Sequence, residues 1–314
     1  MKKNFKILAI DGGGIRGVYS AIILKEIENK FNIKLHEHFD LIAGTSTGSI
    51  LAAAVAVDIP LEEVIGLYKD EGAKIFKSRL SAVGGLNKSK YDNSHLKKIL
   101  KEKFQDRTLS DPSIKTRLLI PATDISNGDV HIIKSFYMEE FKRDKDRKIQ
   151  DAVLSSCSAP LYFNPNKMES YLLADGGLWA NNPSLVALIE GIGKIKVNDN
   201  KERITLDNTN LLSIGTGIGH RYYDPKDSTS DNWGFVRKWN ISKLIDTILN
   251  LQSINVHNTV NFMLPEDNYL RINFESDKNL SLDSVDIISS LEAKAERHFT
   301  HNSEKIKKLL ELKE

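Results

Sequence analysis

The chain has 314 residues, with 44 Lys plus Arg against 42 Asp plus Glu and a formal net charge of +2. That length allows one large or two ordinary domains, and such near-neutrality excludes a general nucleic-acid binder, which carries a basic excess. The 40% apolar and 27% charged content is that of a globular protein, and the single cysteine, Cys157, excludes both a disulfide framework and a multi-cysteine zinc site, pointing to a reducing, cytoplasmic setting.

No apolar run reaches the roughly 18 residues of a spanning helix. Lys2 and Lys3 precede the apolar run Phe5 to Ile10, but Asp11 ends it too soon for a signal-peptide core. That run reads as a buried strand followed by a glycine turn. Val18, Ile22, Ile23, Ile27 and Phe31 then recur at helical spacing. Asp40 to Ala43 reads as a second short strand, Gly44 to Gly48 as a sharp turn, and Ser49 to Val57 as a small-residue helix packed on a sheet. Pro60 suits the first position of a helix ending near Phe76. Asn93 or Ser94 caps a helix reaching Phe104.

Arg117 to Thr123 and Val130 to Phe136 read as strands joined by a hairpin turn at Asn127-Gly128. The mixed-charge run Lys142 to Lys148 reads as a solvated loop. Ile149 to Cys157 is a short helix, and Tyr171 to Ala174 a strand ending on Asp175-Gly176-Gly177. A helix starts at Pro183, and Leu211 to Ile214 is a strand ending on Gly215-Thr216-Gly217. The last third reads as helices, Ile241 to Met263 and Ser284 onward, around a short strand at Tyr269 to Phe274. Alternating strands and helices predict an α/β fold whose mainly parallel sheet is covered on both faces. With no repeat and no linker, one domain over residues 1–314 is expected, with a helical part from about 240.

Three loops carry chemistry. In Asp11-Gly12-Gly13-Gly14-Ile15-Arg16-Gly17, glycines let N–H groups converge at a helix N-terminus, which suits a bound phosphate or a transient oxyanion. The loop also matches G-x-G-x-x-G, but the acidic residue of a dinucleotide site belongs at the end of the second strand, and Asp40 opens it instead. Gly44-Thr45-Ser46-Thr47-Gly48 is G-x-S-x-G between strand and helix, the pattern of a nucleophile elbow. Asp175-Gly176-Gly177 ends a strand, where open α/β sheets place their sites, although alone it is an ordinary turn. A serine nucleophile needs a base. Of eight histidines only His220 follows a strand-end glycine loop, so a Ser46, Asp175, His220 triad stands beside a Ser46, Asp175 pair.

These three motifs in this order resemble the patatin-like phospholipases, as do Asn181-Asn182-Pro183 and Ser213-Ile214-Gly215-Thr216-Gly217. The likeness runs from Phe5 to Gly217. The resemblance implies a three-layer α/β fold and a Ser-Asp dyad without histidine, with Ser46 as nucleophile and Asp175 as base. It implies oxyanion N–H groups from Gly12, Gly13, Gly14 and Ile15, and an anion-binding place for Arg16 and Gly17. Gly44, Gly48, Gly176 and Gly177 complete the motifs, and Asp11 holds its turn. The implied activity is hydrolysis of ester bonds in phospholipids and other acyl lipids, with no cofactor and no metal. Some bacterial members with this layout are effectors switched on by cyclic nucleotides in antiphage defence, so a cyclic nucleotide activator is an alternative layer of function.

A lipid substrate also implies peripheral contact with a membrane surface. From Gly72 to Tyr91 there are five basic residues, Lys74, Lys77, Arg79, Lys88 and Lys90, and no acidic one. Among them lie Leu80, Val83, Leu86 and the pair Gly84-Gly85, which makes this segment a docking or lid candidate. Tyr222 to Trp239, with two tyrosines, two tryptophans and Phe235, is a second candidate.

Overall fold

The structure, a computed structural model, describes residues 4–79, 88–197, 202–219, 224–229, 241–277 and 280–312. Its centre is an eight-stranded sheet: β1 (Phe5–Ile10), β2 (Leu41–Gly44), β3 (Arg117–Asp124), β4 (Asp129–Lys134), β5 (Asn166–Met168), β6 (Tyr171–Asp175), β7 (Thr209–Ile214) and β8 (Tyr269–Ile272). Pairing runs β8, β7, β1, β2, β3, all parallel. Strand β1 is buried at every position, as a strand covered on both faces must be. Its period-two alternation divides two cores. Leu8 and Ile10 face one side, and Ile7 and Ala9 the other.

Beyond β3 the sheet turns antiparallel. At Leu119, β3 pairs with Ala43 of β2 and with Lys134 of β4, so those two strands lie on opposite edges of β3. At Ala122 to Asp124, β3 pairs with β4 and with β6, so β6 takes the edge that β2 has vacated. Strands β2 and β6 therefore lie along one edge of β3, pointing head-on, with their C-terminal ends converging.

On the first face pack α1 (Gly17–Phe31), α2 (Thr47–Ala56), α3 (Leu61–Gly66), α4 (Ser94–Phe104), α5 (Ile149–Ser156) and, across α1, α8 (Ile288–Leu309). On the second pack α6 (Ser184–Gly193) and α7 (Ile241–Met263). The result is the three-layer, mainly parallel α/β arrangement expected from the alternation of elements. The last third holds two long helices, but it is not an appendage: it supplies β8 to the central sheet and α8 to the first layer.

Four local expectations are corrected. Helix α2 begins at Thr47 rather than Ser49, so the turn at Ser46 is tighter than the sequence suggests. The helix expected from Pro60 to Phe76 passes through a π-helical turn at Leu67–Glu71 before ending at Ile75. The β3–β4 turn spans Ile125 to Gly128 rather than two residues, because Asp124 Oδ1 accepts the N–H groups of Ser126 and Asn127, and β4 ends at Lys134. In the run Lys142 to Lys148, Asp144 and Arg147 are buried rather than solvated. Asp144 pairs with Arg143 at 2.7 Å and Arg147 at 3.3 Å, and Arg147 reaches Glu169 at 3.0 Å.

Candidate active site

The chain leaves β2 at Gly44 and enters α2 at Thr47, with Ser46 as the residue before the helix at φ +52° and ψ −125°. A serine held there stores roughly 1–3 kcal/mol of backbone strain. The elbow closes this tightly because Gly44 and Gly48 lack side chains. A Cβ on Gly44 would sit 2.1 Å from the Gly48 carbonyl oxygen, and one on Gly48 2.3 Å from that of Ile10. The Ser46 N–H donates to Ser156 Oγ at 2.9 Å, and that hydroxyl donates to the Pro121 carbonyl at 2.6 Å. The π-helical turn carries Tyr68, whose hydroxyl lies 2.5 Å from Thr47 Oγ1.

Asp175 ends β6 opposite Ala122 of β3. Ala122 lies three residues beyond Leu119, as Ser46 lies three beyond Ala43, the partner of Leu119. The two side chains therefore meet where β2 and β6 converge. Asp175 is only 5% exposed, and burial pushes its carboxyl up to about 6. Hydrogen bonds from the Ser46 side chain and from the Gly177 N–H, the latter at 2.7 Å, hold it from rising further. His220 lies outside the described residues.

The glycine loop of residues 12–14 faces Ser46, but its N–H groups are unequal. Gly12 N–H donates to the Asn181 carbonyl at 3.0 Å and Ile15 N–H to that of Leu282 at 2.8 Å, so both are spent within the protein. Gly13 and Gly14 border the cleft over Ser46, and their N–H groups have no main-chain partner among the described residues. Gly14 has φ +58°, and a Cβ there would sit 2.1 Å from the Leu282 carbonyl oxygen. Of the four N–H groups expected to form an oxyanion site, those of Gly12 and Ile15 are thus engaged elsewhere, and those of Gly13 and Gly14 remain as candidates. Arg16 departs from its expected anion-binding place: it is buried, with Nε on the Gly13 carbonyl at 3.2 Å and Nη1 on that of Gly217 at 3.1 Å. It holds the loop in shape. Gly17 serves packing, since a Cβ there would sit 2.3 Å from Thr47 Oγ1. Asp40 lies away from the loop, its Oδ2 accepting the Lys6 N–H at 2.8 Å at the opposite end of β1, which removes the acidic residue a dinucleotide site would use.

Sequence reasoning missed the part the last third plays. Asp11 forms a buried two-pronged ion pair with Arg271 of β8, at 3.1 and 2.6 Å. Ser253 of α7 donates to Asp11 Oδ2 at 3.3 Å and accepts from Asn181 Nδ2 at 2.9 Å. Ile245 and Leu249 of α7, with Leu282, line the cleft over Ser46, together with Ile50, Leu67, Phe76 and Phe163. The lining is mostly apolar, with Thr47, Tyr68, Tyr162 and Asn181 as further polar members beside Ser46 and Asp175, which suits an acyl chain.

The basic segment is weaker than its composition suggests, because acidic partners come from outside its bounds. Lys74 pairs with Glu71 at 2.8 Å, Arg79 with Asp92 at 2.8 Å and Lys90 with Asp283 at 2.6 Å. Leu80 to Leu86, and the aromatic residues between Tyr222 and Trp239, lie outside the described residues. Among the described residues no helix is long and apolar enough to cross a membrane.

A serine on a strained strand-to-helix elbow, beside two glycine N–H groups without a main-chain partner among the described residues and a buried carboxyl, is an arrangement that suits ester hydrolysis. The family profile described as patatin-like phospholipase matches residues 8–188, and the chain belongs to that family of lipid acyl ester hydrolases. It is 37% identical over 190 residues to a cGAMP-activated phospholipase of Pseudomonas aeruginosa, a match covering 60% of this chain and 56% of that protein. It is 32% identical to a cGAMP-activated phospholipase of Escherichia coli, over 86% of this chain and 80% of that one. Patatin-like protein 4 of Arabidopsis thaliana is 30% identical, over 86% of this chain and 76% of its own length.

Proposed function

We propose that this protein cleaves acyl esters of phospholipids through a dyad of Ser46 and Asp175. The observation that carries the reading is the meeting of a strained serine with a buried aspartate whose pKa is lifted to about 6, near enough to neutrality for a general base. Asp175 takes the proton from Ser46 Oγ as that oxygen attacks the ester carbonyl carbon. The oxyanion is received by the N–H groups of Gly13 and Gly14, with the N-terminus of α2 adding positive potential. As the tetrahedral intermediate collapses, Asp175 returns the proton to the departing lysophospholipid oxygen, leaving an acyl ester on Ser46. Water then attacks that ester, losing its proton to Asp175. Collapse passes the proton back to Ser46 and releases the fatty acid. Arg16, Arg271 and Asp11 keep the glycine loop in place, and the whole chain acts as one unit. A fluorophosphonate should label Ser46, and mass spectrometry of mixed phospholipids should show free fatty acid and lysolipid that vanish in Ser46→Ala. Labelling elsewhere, with Ser46 untouched, would overturn the assignment.

The names of the two bacterial relatives favour a second layer, activation by a cyclic nucleotide; action at a cytoplasmic membrane surface is the setting the phospholipid substrate suggests. Turnover with and without cyclic dinucleotides tests it, and identical rates across the set would remove it.

A further inference from the structure

Helix α7 turns one face into the cleft and another to the outside, and where it borders the cleft both are apolar. Ile245 and Leu249 line the cleft. One helical step away, Ile248 is 42% and Leu251 60% exposed. Leu178, which lines the cleft from the helical turn after Asp175, is itself 36% exposed, so it carries apolar surface from the cleft to the outside. From Leu244 to Met263 the only Asp, Glu, Lys or Arg is Asp246, whose charge acts on Arg16. Farther along the same exposed face come Asn255 and Asn258 and then Phe262, which is 93% exposed, so Ile248 and Leu251 are the exposed apolar pair beside the cleft and Phe262 resumes the row a few turns on.

We propose that this face, centred on Ile248 and Leu251, seats the protein on a lipid bilayer by apolar insertion rather than by charge. The inference rests on the phospholipase reading, because it is the lipid substrate that makes a bilayer the occupant. A second copy of the chain fits less well. A stable protein interface buries about 800 Å² per partner, and a few half-exposed side chains supply far less. The pairing of Lys74, Arg79 and Lys90, three of the five basic residues of that segment, points the same way, since it reduces the positive charge offered for electrostatic docking.

The test uses the full chain and vesicles of phosphatidylcholine alone, read by co-sedimentation. Ile248→Glu with Leu251→Glu should weaken vesicle binding by about tenfold or more, as expected when inserting side chains become charged. Hydrolysis of a short soluble ester should stay within about twofold, reporting an intact fold and dyad. Leu251→Asn, a neutral change, should weaken binding in the same direction. High salt should leave wild-type binding in place, because apolar insertion is not screened. Vesicle binding equal to wild type in the double variant, loss of wild-type binding in high salt, or a dimer that the variant splits would each overturn the proposal. Co-sedimentation needs no turnover, so absence of hydrolysis by the wild type would count against the phospholipase reading and not against this surface.

Discussion

Ser156 holds Ser46 by its main chain: the Ser46 N–H donates to Ser156 Oγ, which passes its own hydrogen to the Pro121 carbonyl of β3. The bond secures a backbone conformation that an L-residue resists, and β3 thereby sets where Ser46, the proposed nucleophile, stands. Ser156→Ala leaves two buried main-chain groups short of a partner and should cost about 1–3 kcal/mol of stability. It should also lower kcat about tenfold with KM nearly unchanged, since a displaced nucleophile affects the reaction more than binding. Ser156→Thr, which keeps the hydroxyl, should recover part of the rate. Steady-state kinetics on a soluble ester and thermal melts of both variants decide it.

Ser46→Ala and Asp175→Asn should each reduce hydrolysis to background, and the double variant should be no worse than either, because the two groups act as a unit. His220→Ala should retain substantial activity. A collapse of His220→Ala to the level of Ser46→Ala would instead support a triad.

Burial raises Asp175 to about 6, which has consequences of opposite sign for rate and stability. In the proposed reaction Asp175 acts as base only when ionised, so turnover should climb as pH rises through about 6 and then level. For folding, the native state binds the proton more tightly than the unfolded chain, so stability is greatest below the unfolded value near 4 and is lost as pH rises to about 6. At pH 8, Asp175→Asn should therefore melt higher than wild type, by an amount on the order of 2–3 kcal/mol. A pH profile of kcat/KM and melts of both proteins at pH 5 and 8 test both signs.

Arg271→Met strips Asp11 of its buried counter-charge and should destabilise by about 3–5 kcal/mol. Adding Asp11→Asn should return much of that loss, because the second change removes the stranded charge. The cycle of single and double variants, read by chemical denaturation, measures the coupling. Additive losses would show that the pair matters little to the fold.

Much of this site was legible before the structure because its parts are local. A glycine loop after an apolar run, a G-x-S-x-G between strand and helix, and a strand ending on Asp175 are each set by nearby residues. Their chemistry follows from backbone freedom and side-chain type. The resemblance carried by the same motifs supplied the roles. The expectation for Arg16 missed because a positive residue in an anion loop serves equally to brace it. Whether it faces a substrate or two carbonyls depends on what packs above.

By itself the sequence determined the α/β alternation and the three motif loops, and it offered Ser46 and Asp175 as candidates with His220 still open beside them. These are properties of short stretches of chain. Only the tertiary structure decided that Asp175 reaches Ser46 along an antiparallel strand. The reason is that β3 outruns β2 and gives β6 the vacated edge, a matter of strand length and pairing between distant segments. Only the tertiary structure, likewise, brought Arg271, Ser253 and Leu282 to the glycine loop. Those contacts join residues more than 200 positions apart, and no local pattern records them, because a buried arginine or serine looks the same in sequence whichever partner it meets.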